Sequence, residues 1–275
     1  MGNKFEATLI NLTPILVSLL FGMFCAFLLL TSSVEIYGIT PFPESVAGAF
    51  GNAFYFVILV GVGATLIYLL LKRKSRKLIA WITGFALTTA VFMLSIIYMF
   101  AAFSRFAIPS MEALILILSL FITALADYAI FRKHGKICDL VVLFLGGALG
   151  TFLGFSIPSL SAILILGFLA VYDVFAVYHG PVGKIARSGL DQLRGLSFSF
   201  KNIQMGLGDL TFYSMLSGSM LVNPDFGYIS CLASIIGILF GCLLAFKMLE
   251  RKGMFPGLPF PVLFGLTAGL LVSLI

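Results

Sequence analysis

Residues 157–178 read IPSLSAILILGFLAVYDVFAVY, an apolar run with one carboxylate, Asp173, set well inside it. A helix needs about 20 such residues to cross a hydrocarbon core roughly 30 Å thick. An ionisable side chain inside a span costs roughly 2.5–3.5 kcal/mol on insertion scales, so each one marks a candidate functional position. The next apolar run, residues 201–221, reads KNIQMGLGDLTFYSMLSGSML and carries Asp209 near its start. These two consecutive runs decide the reading of the whole chain.

Working outward, runs of the same kind fill the sequence. The 275 residues are 61% hydrophobic and only 10% charged, against about 25% charged in soluble domains. So few polar residues cannot cover a soluble domain of this length. Nine spans are predicted, at about 9–31, 46–71, 78–103, 108–131, 138–155, 157–178, 201–221, 226–250 and 256–275. The expected fold class is all-α: one polytopic membrane-embedded domain over residues 1–275. Spans one to six cover about 9–178, a connection covers about 179–200, and spans seven to nine cover about 201–275. The first run is too long for a signal-peptide core and reads as a retained span. The sequon at Asn11-Leu12-Thr13 lies inside it and is dismissed.

Basic residues give the orientation. Of the 17 Lys and Arg residues, all but Arg105 fall in the N-terminal tail or at the even-numbered connections. The positive-inside rule therefore places the N-terminus in the cytoplasm and the C-terminus outside. The net charge of +6 is accounted for by these clusters, so no nucleic-acid partner is expected. The expected setting is the cell membrane, with the lipid bilayer as the protein's surroundings.

The carboxylates carry the chemistry. Spans six and seven are consecutive and antiparallel. Asp173 and Asp209 each lie about 6–8 residues from the basic end of their span, or about 9–12 Å deep at helical rise. Two carboxylates held together in a low-dielectric site cannot both ionise, so they share a proton. One then activates water as general base while the other protonates the carbonyl or the leaving amine. Gly206 and Gly208 remove bulk before Asp209, which allows close backbone approach and weakens the helix start. At the entrance to span nine, Pro256-Gly257-Leu258-Pro259, followed by Pro261, cannot continue a regular helix. Proline is also an ordinary first residue of a helix, so that stretch alone reads as a start signal.

Other chemistries are disfavoured. His134 and His179 lie in connections, and no H-E-x-x-H occurs, which argues against zinc proteolysis and against a serine–histidine pair in a span. Cys25, Cys138, Cys231 and Cys242 are scattered without a C-x-x-C pair and read as packing residues. No cofactor and no metal is called for. Glu112, Asp139 and Lys247 sit near enough to span ends to snorkel. Asp127, also near a basic end, reads as bonding a neighbouring helix. Depth-matched carboxylates also serve ion- or proton-coupled transporters and cation leak channels. Physics alone leaves that reading and an aspartyl protease equally open.

The motifs narrow the choice. Tyr172-Asp173 resembles the YD motif of presenilins and signal peptide peptidases, the GxGD intramembrane aspartyl proteases. Gly206-Leu207-Gly208-Asp209 matches their GxGD motif, and Pro256-Gly257-Leu258-Pro259 is similar to their PAL motif with Gly in place of Ala. The three occur in family order on spans six, seven and nine. The resemblance implies nine helices, catalytic roles for Asp173 and Asp209, and transmembrane segments of membrane proteins as substrates. The orientation resembles presenilin rather than signal peptide peptidase. The short connection between spans six and seven lacks presenilin's long hydrophobic insert, which sets autoproteolytic activation apart. The compact chain is most like a microbial or archaeal homologue acting without an obligatory accessory subunit, with homo-oligomers left open. Prepilin peptidases also carry GxGD, but they resemble GxGDxK, and Thr211 stands where that Lys would be.

Overall fold

The computed structural model describes residues 6–104, 106, 111–133, 135–180, 183, 195–201, 203–223 and 226–274. Among them are nine α-helices: α1 (Thr13–Leu30), α2 (Val46–Lys72), α3 (Arg76–Phe103), α4 (Met111–Asp127), α5 (Lys136–Ser156), α6 (Ser159–Tyr178), α7 (Leu207–Val222), α8 (Gly227–Lys252) and α9 (Pro259–Ser273). A 3-10 turn, Leu9–Leu12, leads into α1, and a π-helical turn, Tyr128–Arg132, continues α4. Seven of the helical segments are long and apolar enough to cross a membrane.

The two exceptions are α7 and α9, of 16 and 15 residues. At 1.5 Å per residue each is about 23–24 Å long, short of a ~30 Å core. Both were expected to begin earlier, at about 201 and 256. Each is instead preceded by non-helical backbone, and non-helical backbone at membrane depth persists only where protein or a cavity satisfies it.

Before α7 that backbone is a β-hairpin, so the helix start expected at about 201 needs correcting, while the fold remains predominantly helical. β1 (Ser197–Phe200) pairs antiparallel with β2 (Ile203–Gly206), with Phe198 opposite Met205 and Phe200 opposite Ile203. The reason is the period of the side chains. Phe198, Phe200, Ile203 and Met205 alternate with Ser197, Ser199, Gln204 and Gly206, and a period of two gives a strand one apolar face. Phe198, Ile203 and Met205 are buried, whereas Ser199 and Gln204 are exposed. Lys201 turns the chain at φ 53°, and the Ser199 N–H ties the hairpin to Asp139 of α5 at 3.1 Å.

Helix α5 positions α7. Gly146, Gly150 and Gly154 form a stripe one helical turn apart. A Cβ on Gly150 would meet the Thr211 carbonyl and, at 2.6 Å, Ser214 Cβ; one on Gly154 would meet Met215 O at 2.7 Å. The α5 and α7 backbones are therefore in direct contact, as small residues permit between membrane helices. On the other side of α5, Ser18 donates to Leu143 O at 2.8 Å and Thr151 donates to Gly22 O at 3.0 Å, which fixes α1. The core between these helices holds Leu166, Leu169, Leu210, Leu216 and Ile238, all nearly inaccessible.

Pro158 caps α6 in an extended conformation and ends the turn from α5. Helix α2 lies beside α6 and is most deeply buried near its N-terminal end, while Ile67, Tyr68, Leu70 and Leu71 near its other end pack against Ile79 of α3. Its buried residues are Gly48, Ala49, Asn52 and Ala53. Asn52 donates to Ser161 Oγ at 3.0 Å and to Phe42 O at 3.2 Å.

Candidate active site

The site forms where α6, α7 and the segment before α9 meet. Asp173 sits in the penultimate turn of α6, half-buried, with exposed Val174 and Phe175 after it. Tyr172 turns toward α2, and its hydroxyl lies against Gly61.

Asp209 is the third residue of α7. Gly206 is the N-cap, at φ −76° and ψ 149°, so strand β2 runs straight into the helix. The Asp209 carboxylate faces back to the Gly206 N–H. Asp209 thus stands at the N3 position from which, in a capping box, an acid reaches back toward the N-cap amide. An acid in the first turn is also favoured by the positive end of the helix dipole. Leu207 is buried and donates its N–H to Leu196 O at 2.8 Å, which closes the hairpin onto the helix.

Residues Pro256–Leu258 complete the site. The Leu258 N–H donates to Asp173 Oδ2 at 3.0 Å, and the Gly257 N–H also faces that carboxylate. On its other side Gly257 abuts Asp209: a Cβ there would lie 2.8 Å from Oδ2 and 3.0 Å from Cγ. One dipeptide thus touches both carboxylates. Pro259 is the first residue of α9 and Leu258 its cap, so the stretch is a helix start and a site loop at once. Pro256 and Leu258 are buried.

One predicted feature turns out differently. Gly206 and Gly208 were expected to let a neighbouring backbone approach closely. Nothing crowds them: the nearest atoms to a Cβ would be 3.9 Å and 3.8 Å away. The close glycine approach occurs at Gly257 instead. Asp127 behaves as expected, accepting a hydrogen bond from the Thr88 hydroxyl of α3 at 2.9 Å.

Sequence reasoning missed Tyr213 and β2. Tyr213 stands one helical turn beyond Asp209, is 1% exposed, and donates its hydroxyl to Gly257 O at 2.8 Å. Cys242 of α8 lies beside the same hydroxyl. The i, i+4 spacing from Asp209 was the available signal. A cavity of about 240 Å³ opens beside Asp209, with Ile203, Gln204 and Met205 of β2, Tyr213, Pro256 and Gly257 in its wall. Thr211, at the position that separates the chain from the prepilin pattern, is buried and back-bonded to Leu207 O at 2.9 Å.

Comparison with known proteins agrees with this fold. Residues 16–192 match the family model described as signal-peptide peptidase, presenilin aspartyl protease. A presenilin family intramembrane aspartate protease solved in the C222 space group is similar over 97% of this chain and 99% of that one, at TM-score 0.69 and 19% identity. A structure of a presenilin family intramembrane aspartate protease in the P2 space group is similar over 95% of each chain, at TM-score 0.65 and 22% identity.

Proposed function

The chain belongs to the signal-peptide peptidase and presenilin aspartyl protease family, and from that premise we propose that it hydrolyses peptide bonds within or next to transmembrane segments of membrane proteins, with Asp173 and Asp209 as the dyad. The observation that carries the assignment is the Gly257–Leu258 dipeptide, which engages both carboxylates.

In this reading the pair holds one proton. The ionised member takes a proton from water, whose oxygen attacks the scissile carbonyl carbon. The protonated member gives its proton to the carbonyl oxygen. When the tetrahedral intermediate collapses, the C–N bond breaks and the amine leaves with a proton returned through the pair. The Gly257 and Leu258 amides orient Asp173, and the helix start orients Asp209. A substrate helix must unwind to expose its scissile bond, and its freed amides then need partners. Strand β2 and the Pro256–Gly257 segment wall the cavity at Asp209, so backbone pairing by strand addition is the proposed mode of capture.

The proposed topology has nine crossings, with α7 and α9 completed by the non-helical segments before them. The N-terminus lies in the cytoplasm, as the basic clusters require, and the protein resides in the cell membrane. No observation favours the transporter alternative.

The test is cleavage of a detergent-solubilised transmembrane substrate by purified protein. Asp173→Asn and Asp209→Asn each abolish product, and the double variant is no worse than either single one, because the two groups act as a unit. Cleavage by Asp173→Asn near the wild-type rate would sink the dyad.

A further inference from the structure

A second cavity shares no lining residue with the one at Asp209. It measures about 580 Å³ and opens between α1, α3, α4 and α5. Phe24, Leu94, Ile122, Leu125 and Phe144 line it, and its wall is carbon almost throughout. Helix α4 leans along α3 and meets α5 chiefly through its π-helical turn, so the helices part above that turn and leave the groove.

Its length and its charge identify the occupant. Along α5 the lining runs from Ile137, the second residue of the helix, to Ala148, near its middle. At 1.5 Å per residue that is about 16 Å, half of a ~30 Å core and hence the depth of one leaflet. Lys133 lines one end, and Arg132 and Lys136, both exposed, flank it in sequence. Among the described residues, no carboxylate lines the groove. Asp127 is bonded to Thr88 and Asp139 to the Ser199 amide. A slot that is apolar for one leaflet's depth and cationic at its mouth has the chemistry of a lipid tail below an anionic headgroup.

We propose that this groove is a binding site for an anionic glycerophospholipid of the leaflet on the basic side, with one acyl chain between α4 and α5 and the phosphate at Lys133. The lipid fills the gap that leaves α4 held mainly by α3.

Native mass spectrometry of the full chain in detergent tests this, with palmitoyl-oleoyl phosphatidylglycerol and the matched phosphatidylcholine as probes. The wild type retains one phosphatidylglycerol at least ten-fold more tightly than phosphatidylcholine. Lys133→Gln weakens phosphatidylglycerol about five-fold, the worth of one basic side chain at an anionic surface, and leaves phosphatidylcholine unchanged. Leu125→Trp fills the groove and removes both. Ile122→Trp does the same from the preceding turn, should the first variant fold poorly. Ile236→Trp, on an exposed stretch of α8 outside the groove, changes neither. Equal retention of the two lipids, or loss of both with Ile236→Trp, overturns the proposal in favour of ordinary annular lipid. A homodimer broken by Leu125→Trp, with no lipid adduct in the wild type, overturns it in favour of a second copy of the chain.

Discussion

Replacing Gly257 by alanine restores the residue usual in the family's motif, and the geometry here says it should harm the enzyme. A Cβ at 257 would stand 2.8 Å from Asp209 Oδ2, 3.0 Å from Cγ and 3.2 Å from Oδ1. Ordinary contact begins near 3.4 Å, so the carboxylate must retreat by about 0.6 Å. It has little freedom to do so, being held on the first turn of α7 and facing the Gly206 amide. A misplacement of about 1 Å at reacting groups costs roughly 100-fold in rate. A shift of ~0.6 Å then costs about ten-fold, or ~1.4 kcal/mol of barrier. Folding moves the other way, because Gly257 has no positive φ, and Gly→Ala at an allowed position stiffens the unfolded chain by about 0.4–1 kcal/mol. The expected result is kcat about ten-fold lower with an unchanged or slightly higher Tm. Initial rates on a fluorogenic transmembrane peptide in micelles, with a thermal melt of the same sample, measure both. A Gly257→Ala enzyme that cleaves at the wild-type rate would show that Asp209 is not set by this loop. In a chain whose loop bears alanine, the carboxylate must sit farther from it.

Three further outcomes follow from contacts described above. Tyr213→Phe removes the hydroxyl that holds Gly257 O; it should lower kcat by about ten-fold while costing only ~1 kcal/mol of stability, and an unchanged kcat refutes the tie. Gly150→Ala forces a methyl against the Thr211 carbonyl and should destabilise by about 1–3 kcal/mol, whereas Gly63→Ala, inside α2 with nothing within 4 Å, should leave the melt unchanged or slightly higher. Single cysteines at Ser75 and Asn223, in a cysteine-free background, should label from opposite faces of a sealed membrane; labelling of both from one face contradicts the nine-crossing topology.

The long elements were legible in the sequence because hydropathy over 20 residues is a strong signal. The helices expected at 46–71 and 157–178 correspond to Val46–Lys72 and Ser159–Tyr178. The hairpin was not legible in the same way. Its strands have four residues each, and a window wide enough to find a span averages Ser-Phe-Ser-Phe into the apolar run that follows. Only the two-residue alternation from Ser197 to Met205 marks it. Gly206 and Gly208 were noticed for the right reason, an altered helix start, but credited with a packing role that Gly257 has. Tyr213 looked like one more aromatic in an apolar helix, because its value depends on a carbonyl 44 positions away. The burial of Leu258 was equally invisible. It means that Leu258→Ala would lose core packing as well as loop geometry, so Pro259→Ala is the cleaner probe of the loop.

The direct passage from β2 into α7 behaves like a ruler with its zero mark at Asp209. Between Gln204, whose side chain is exposed, and the carboxylate lie only a few peptide units, with Gly206 serving both as the last residue of the strand and as the helix cap. At ~3.5 Å per residue the reach is fixed to well under 20 Å, and no slack segment adjusts it. Under the proposed capture, a guest that pairs with this strand is cut at a set distance from the point of pairing, whatever its side chains spell. Selection becomes a matter of measurement: which segments unwind, and in which register they settle, decides the product. Sliding the guest by one residue turns each of its side chains to the opposite face, so only every second register presents the same faces to the enzyme. An enzyme built this way tolerates many sequences and few spacings.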